Sequence, residues 1–275
     1  MADAAPDWIN GDPDDLRRWR NASPEVVNPV LPDDVAITAL APEGGCPGGL
    51  ICTPDRVAGV PVVYFHGGGF VVGSPETHRI NTAWIAHLSR APVFSIRYRL
   101  APEHAFPAQA EDAVAAVRRQ LRSHPRLRLM GDSAGGLVAL WAHAGLTVQE
   151  RVRIEDVVLF YPGGTASIPR PSGLGEDEAE GLGPKSLAAY QRRLDPKGIA
   201  GGDPRYDPMA EGFAAPARMT ILGAGADPIL YQARALADRL KARLLVAEGE
   251  AHSFLAALPA EPAITHLKRA LGGTP

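Results

Sequence analysis

The chain has 275 residues, 45% of them hydrophobic and 21% charged, with a net charge of −3. That length holds one large domain or two small ones with a real core. The mildly acidic balance, with no dense Lys/Arg block, offers no electrostatic footprint to nucleic acid or an anionic membrane.

Gly 29 and Pro 26 are a heavy load, yet they fall short of the share that marks low-complexity disorder. The start, Met1-Ala2-Asp3-Ala4-Ala5-Pro6-Asp7, is acidic, whereas a signal peptide needs a basic start and an apolar stretch. Val57 to Pro75 carries no Asp, Glu, Lys or Arg, but Pro61, His66 and five glycines interrupt it, which argues against a membrane span. A soluble, cytoplasmic protein is expected. Cys46 and Cys52 fit no metal spacing and are too few for a disulfide scaffold, so two free thiols are expected.

Residues 1–33 read as an irregular lead-in with one short helix, started by Pro13-Asp14-Asp15. Val35 to Leu40 and Leu50 to Thr53 read as strands separated by the Gly/Pro cluster from Pro42 to Gly48. Val60 to Phe65 is a nearly continuous apolar run, the mark of a strand covered on both faces. A helix over Thr77–Ser89, a buried strand over Val93–Tyr98 and a helix over Pro107–Arg122 follow. Next come a strand over Leu127–Met130, a helix over Ala134–Leu146 and a strand over Ile154–Tyr161. This alternation predicts an α/β fold with a mostly parallel central sheet and helices on both faces.

The rhythm breaks at residues 162–208. Nine glycines lie between Gly163 and Gly202, with an acidic patch Glu176-Asp177-Glu178 and one helix, Pro184 to Leu194. Such an insertion reads as a lid, a binding loop or a mobile segment. The alternation resumes with a strand at Met219–Leu222, a helix at Ile229–Leu240, a strand at Leu244–Ala247 and a closing helix at Glu261–Leu271.

Gly131-Asp132-Ser133-Ala134-Gly135 fits G-x-S-x-G between a predicted strand and a predicted helix, the context of a nucleophile elbow. Small flanking residues allow the tight turn, and the helix start behind Ser133 favours developing negative charge. His66-Gly67-Gly68-Gly69 ends the first buried strand and fits the HGGG oxyanion motif. Three glycines present backbone N–H donors with no side chains in the way. His66 itself reads as a structural hydrogen-bonder.

A serine nucleophile needs a base, and the base an orienting acid. In α/β-hydrolases the chain order is Ser, acid, His. His252 lies in the loop after the Leu244–Ala247 strand, and His266 lies inside the last helix, where a solvent-facing role is expected. Asp227 follows the Met219–Leu222 strand, at the sheet edge where open α/β sheets build their sites. Asp156 starts its strand, on the wrong edge. Asp195, Asp203 and Asp207 lie in or near the insertion, and Glu248 and Glu250 sit close to His252 in the chain. No His/Cys/Asp cluster has metal spacing. Gly223-Ala224-Gly225 lacks the third glycine of a dinucleotide loop. Neither a metal nor another cofactor is expected.

In order, the chain carries His66-Gly67-Gly68-Gly69-Phe70, Tyr98-Arg99-Leu100-Ala101-Pro102-Glu103-His104, Phe106-Pro107-Ala108, Gly131-Asp132-Ser133-Ala134-Gly135-Gly136, Asp227-Pro228 and His252-Ser253-Phe254. This set resembles the hormone-sensitive-lipase-like (bacterial family IV) carboxylesterases of the α/β-hydrolase fold, over roughly residues 35–270. The resemblance implies Ser133 as nucleophile, His252 as base and Asp227 as its partner. It implies an oxyanion hole from the N–H groups of Gly68, Gly69 and Ala134. It also implies a small cap from residues 1–33 and 163–208 over a catalytic domain of residues 34–162 and 209–275. The lead-in is short for the family, and Ile229-Leu230-Tyr231-Gln232 stand where charged residues commonly follow the Asp-Pro pair.

The expected activity is hydrolysis of short-chain acyl esters by a serine carboxylesterase. An amidase, lactonase or deacetylase of a specific metabolite would use the same triad, because leaving-group preference lives in the pocket. A non-catalytic small-molecule-binding protein on the same fold is the remaining reading. The expected partner is a small-molecule ester, and by analogy alone a second copy in a homodimer.

Overall fold

Successive side chains of a strand point to opposite faces, so a strand buried on both faces must be apolar throughout. In the computed structural model, which describes residues 6–174 and 181–272, the strand Val62–Phe65 meets that condition and is buried at every position. β1 (Val35–Leu40), β2 (Gly49–Pro54), β3 (Val62–Phe65), β4 (Val93–Ile96), β5 (Leu127–Asp132), β6 (Ile154–Phe160), β7 (Met219–Ala224) and β8 (Arg243–Ala247) form one sheet. The order is β1-β2-β4-β3-β5-β6-β7-β8. β2 pairs antiparallel with β1 and β4, and the rest pair parallel.

Alternation divides the core into two layers. Val63, Phe65, Leu129, Leu159 and Ile221 face one cluster, which takes in α4 (Ala108–Ser123), α5 (Ala134–Ala144) and α8 (Leu230–Leu240). Val62, Tyr64, Met130, Val158 and Leu222 face the other, against α3 (Arg79–Ser89) and α9 (Glu261–Leu271). α5 is buried from Ala134 to His143, as its near-absence of polar residues requires.

Register fixes where chemistry can gather. Phe65 of β3 lies opposite Gly131 of β5, so the chain leaves both central strands side by side, toward His66-Gly67-Gly68-Gly69 and Ser133. Leu222 of β7 pairs with Phe160 of β6, and Ala247 of β8 with Ala224 of β7. The loops bearing Asp227 and His252 therefore leave the same edge, the C-terminal edge of the sheet.

Several local expectations change. The lead-in has two helices, α1 (Pro13–Asn21) and α2 (Pro24–Val27). Asp12 caps α1 through the Asp14 N–H, and Pro24 opens α2. The short α6 (Val148–Arg151) is also additional, held by a reciprocal capping box between Thr147 and Glu150. β4 stops at Ile96. Tyr98 instead sends its hydroxyl to the His66 carbonyl at 2.7 Å. His266 is half-buried rather than solvent-facing, with its ring edge-on to Phe254 at 6.0 Å.

The insertion is better packed than its glycines imply. α7 (Pro184–Leu194) buries Leu194 in the core, and Tyr206 packs against Phe106 at 4.9 Å while its carbonyl takes the Trp141 indole N–H at 2.8 Å. An added Cβ at Gly163 would lie 2.3 Å from Ile229, and one at Gly181 would lie 2.8 Å from the Trp8 ring. Gly198, Gly201 and Gly202 face open space. The Glu176-Asp177-Glu178 patch lies outside the described residues. Among the described residues no helix is long and apolar enough to cross a membrane.

Candidate active site

The turn between β5 and α5 holds Ser133 at φ 50° and ψ −124°. Such a backbone costs roughly 1–3 kcal/mol at a non-glycine residue. Neighbours hold it there. The Ser133 N–H donates to the Phe160 carbonyl at 2.9 Å. Gly131 and Gly135 approach so closely that a Cβ on Gly131 would lie 2.3 Å from the Gly135 carbonyl oxygen. A Cβ on Gly135 would lie 2.1 Å from that of Phe65.

His252 brings Nε2 to 2.9 Å from Ser133 Oγ and Nδ1 to 2.6 Å from Asp227 Oδ2. The His252 and Asp227 side chains are 8% and 1% exposed, so water competes little for either bond. The other Asp227 oxygen accepts the Ile229 N–H at 2.9 Å. A proton on Nδ1, facing the carboxylate, leaves Nε2 to accept from the serine hydroxyl.

The glycine loop after β3 runs through φ 118° at Gly68 and 59° at Gly69. The Gly68 carbonyl accepts the N–H groups of Val71 and Val72 at 3.0 and 2.9 Å, turning it away from Ser133. Among the described residues, the N–H groups of Gly68, Gly69 and Ala134 have no acceptor. All three residues line the cavity that contains Ser133 and His252. Phe70 anchors the loop by stacking on Trp141 at 5.3 Å. The Tyr190 ring lies over the loop, where a Cβ on Gly69 would meet it at 2.9 Å.

His66 is buried and stacked on Tyr98 at 4.3 Å, with Nδ1 2.8 Å from the Gly67 carbonyl. Burial, and then the neighbouring His78, lowers its pKa to about 3. A neutral, hydrogen-bonding imidazole suits a structural role rather than that of a base.

Sequence reasoning left Asp132 as the variable residue of the elbow, and it did not single out Tyr64 or His78. In the structure the buried Asp132 carboxylate accepts the Tyr64 hydroxyl at 2.5 Å and the Gly67 N–H at 2.9 Å. His78 Nε2 stands 3.4 Å from its second oxygen. Burial raises the Asp132 pKa, but His78 and the Tyr64 hydroxyl outweigh it and bring the value down to about 2. A carboxylate ending an apolar strand was the available signal, because a buried charge must find partners.

The remaining acids are placed elsewhere. Asp156 pairs with Arg128 at 2.7 Å, Asp203 binds Arg205, and Asp195 caps the N–H groups of Ile199 and Ala200. Asp207 accepts from Ser167 at 2.7 Å. His143 faces the Ala214 carbonyl at 2.9 Å. Cys46 and Cys52 are buried and unbridged. Among the described residues, no three His, Cys, Asp or Glu side chains gather as a metal ion would require.

The cavity over Ser133 has a volume of about 370 Å³, within the range of small-molecule sites. Trp8, Trp19, Leu182, Leu187, Tyr190 and Ile229 wall it. Residues 62–256 match a family described by its alpha/beta hydrolase fold. The chain belongs to the α/β-hydrolases and is a carboxylic ester hydrolase. An ethyl acetate hydrolase of Pseudomonas putida is 32% identical to this hydrolase over 215 residues, 72% of this chain and 67% of that one. An acetyl-hydrolase of Streptomyces hygroscopicus is 31% identical over 231 residues, 78% of this chain and 72% of that one. A hyperthermophilic esterase from Pyrobaculum calidifontis superposes with a TM-score of 0.82 at 26% identity, covering 96% of this hydrolase and 91% of that chain.

Proposed function

We propose that this carboxylesterase cleaves small, short-chain acyl esters through an acyl-enzyme on Ser133. The carrying observation is the continuous hydrogen-bonded line from Ser133 Oγ through His252 to Asp227, at 2.9 and 2.6 Å, at the end of a strained elbow. Ser133 Oγ attacks the ester carbonyl carbon while its proton passes to His252 Nε2. Asp227 holds the tautomer and stabilises the imidazolium. The N–H groups of Gly68, Gly69 and Ala134 receive the carbonyl oxygen as it becomes an oxyanion, each donor contributing about 3–4 kcal/mol to the transition state. The tetrahedral intermediate collapses, His252 returns the proton to the leaving alkoxide, and the alcohol departs. Water then repeats the sequence on the acyl-enzyme and releases the acid.

Residues 1–33 and 163–208 act as a reduced cap on a catalytic domain of residues 34–162 and 209–275. Three contacts support this division. Arg193 of α7 donates to the carbonyls of Trp8, Ile9 and Gly11 at 3.0–3.1 Å, joining the two cap segments. Arg17 of α1 reaches the Val71 and Ala101 carbonyls at 2.9 and 3.1 Å, beside the oxyanion loop. Trp8 and Trp19, packed edge to face at 5.5 Å, wall the cavity that holds Ser133. The small aromatic-walled volume favours short acyl chains.

The test is an organophosphate that labels nucleophilic serines. A single adduct at Ser133, with turnover of p-nitrophenyl acetate abolished by Ser133→Ala, is expected. A folded protein that turns over no ester and takes no adduct would overturn the reading.

A further inference from the structure

An Arg–Glu ion pair stands in the cavity wall, apart in the chain from Ser133, His252 and the Asp132–His78 pair that also line it. Arg20, at the end of α1, and Glu25, in α2, both line the cavity that holds Ser133 and His252. Their side chains are 19% and 28% exposed, more buried than a surface pair would be. The Arg20 Nη1 group donates to Glu25 Oε1 and to Ser23 Oγ. Among the described residues its Nε and Nη2 groups have no acceptor. The guanidinium thus keeps one edge of its planar fork open. Burial pushes the Glu25 carboxyl up, but its own N–H and the Arg20 guanidinium bring it below its ordinary range. Glu25 is therefore ionised and cancels the Arg20 charge, while the Ser23 hydroxyl donates to the Arg20 carbonyl at 2.9 Å.

A pair of zero net charge with spare guanidinium donors has a definite chemistry. It rewards an oxygen acceptor entering the cavity, since a hydrogen bond from a charged donor is among the stronger ones. It gives little to an added negative charge, because Glu25 stands beside it. A purely alkyl ester packed over the guanidinium would cut its free donors off from water with nothing in exchange, an arrangement that sites use to reject unsubstituted analogues.

We propose that Arg20, held by Glu25, is a specificity-determining residue that selects esters carrying a neutral oxygen acceptor, such as a keto oxygen, on the part of the substrate remote from the scissile carbonyl. The inference rests on the serine-esterase reading above and adds the substrate class to it.

The test compares matched esters in which a remote keto oxygen replaces a methyl branch, one pair altered in the acyl chain and one in the alcohol. The ratio of kcat/KM values, keto over branched, is divided by the same ratio for hydroxide-catalysed hydrolysis, which removes intrinsic reactivity. For wild type a corrected ratio of about tenfold, roughly one hydrogen bond to a charged donor, is expected in one of the pairs. Arg20→Met is expected to bring it to about one, and Arg20→Lys, which keeps the charge but loses the fork, to fall between. A third ester, with a remote carboxylate in place of the keto group, is expected to be poorer than the keto ester.

A wild-type ratio near one in both pairs overturns the proposal, and needs no variant to fold. An Arg20→Met enzyme that keeps the preference overturns it, as does a wild type that prefers the carboxylate ester. Failure of the serine-esterase reading looks different: none of these esters would turn over, and Ser133 would take no organophosphate.

Discussion

The Asp132 carboxylate accepts the Gly67 backbone N–H at 2.9 Å. The residue before the elbow serine is thereby tied to the residue before Gly68 and Gly69, across 65 positions of chain. Side-chain truncation at Asp132 should therefore act on the glycine loop as well as on stability. Asp132→Ala is expected to lower kcat by about tenfold or more with a smaller change in KM, since misplaced oxyanion donors weaken the transition state selectively. It should also cost about 1–3 kcal/mol, because the buried Tyr64 hydroxyl loses its acceptor. Asp132→Asn keeps an acceptor and should recover most of kcat. Steady-state kinetics and urea melts check both.

Asp227→Asn tests the tautomer argument. The Asn carbonyl can still take the Ile229 N–H, which Asp227 Oδ1 accepts at 2.9 Å. Its amide N–H then faces His252 Nδ1 and forces the proton onto Nε2, where Ser133 needs an acceptor. A fall in kcat of about 10⁴ is expected, with little change in melting temperature. Hydrolysis of p-nitrophenyl acetate and a thermal melt on one preparation separate the two effects.

Acid should destabilise the fold through two buried histidines. Burial is the main cause that lowers the pKa of His66 to about 3 and that of His143 to about 4, against about 6.5 in an unfolded chain. Both pKa values are depressed, so the unfolded chain binds more protons and stability falls as pH drops below about 6.5. Near pH 5 these two histidines should add about two protons to the uptake on unfolding. Asp132, lowered to about 2, withdraws its own contribution only below about pH 4. His143→Gln, which can still donate to the Ala214 carbonyl, should remove one of the two protons. Urea unfolding free energies measured from pH 7 to pH 4 give the count, and a flat profile would show the argument to be wrong.

Gly69 and Tyr190 should be coupled. A Cβ on Gly69 would lie 2.9 Å from the Tyr190 ring at a backbone φ of 59°. Gly69→Ala is expected to reduce kcat by about tenfold or more, by displacing one of the N–H groups proposed to receive the oxyanion. Tyr190→Ala should restore part of that loss in the double variant, because it removes the clash and leaves only the backbone cost of about 1 kcal/mol. Strictly multiplicative effects in the double-mutant cycle would refute the coupling.

Local signals carried most of the architecture. Apolar runs such as Val62–Phe65 and the strand–helix alternation marked the parallel sheet, because burial on both faces leaves no room for polar residues. The elbow was legible because a tight strand-to-helix turn demands small residues around Ser133. α2 and α6 were not legible, since each spans four residues and so lacks a period to read.

Ser133, Asp227 and His252 could be nominated from chain order and position after strands, but their contact depends on the pairing of β5 through β8. The insertion's glycines looked alike in the sequence. Only the neighbours distinguish Gly181, closed against Trp8, from Gly198, which meets nothing. The same holds for Asp132 and Arg20. Their residue types were visible, but their partners lie on other elements, Gly67 after β3 for one and Glu25 in α2 for the other. Backbone preference and apolar patterning act over a few residues, so the sequence alone determines elements and motif spacing. A buried charge is given meaning by whatever the fold packs against it, and that was decided only by the tertiary structure.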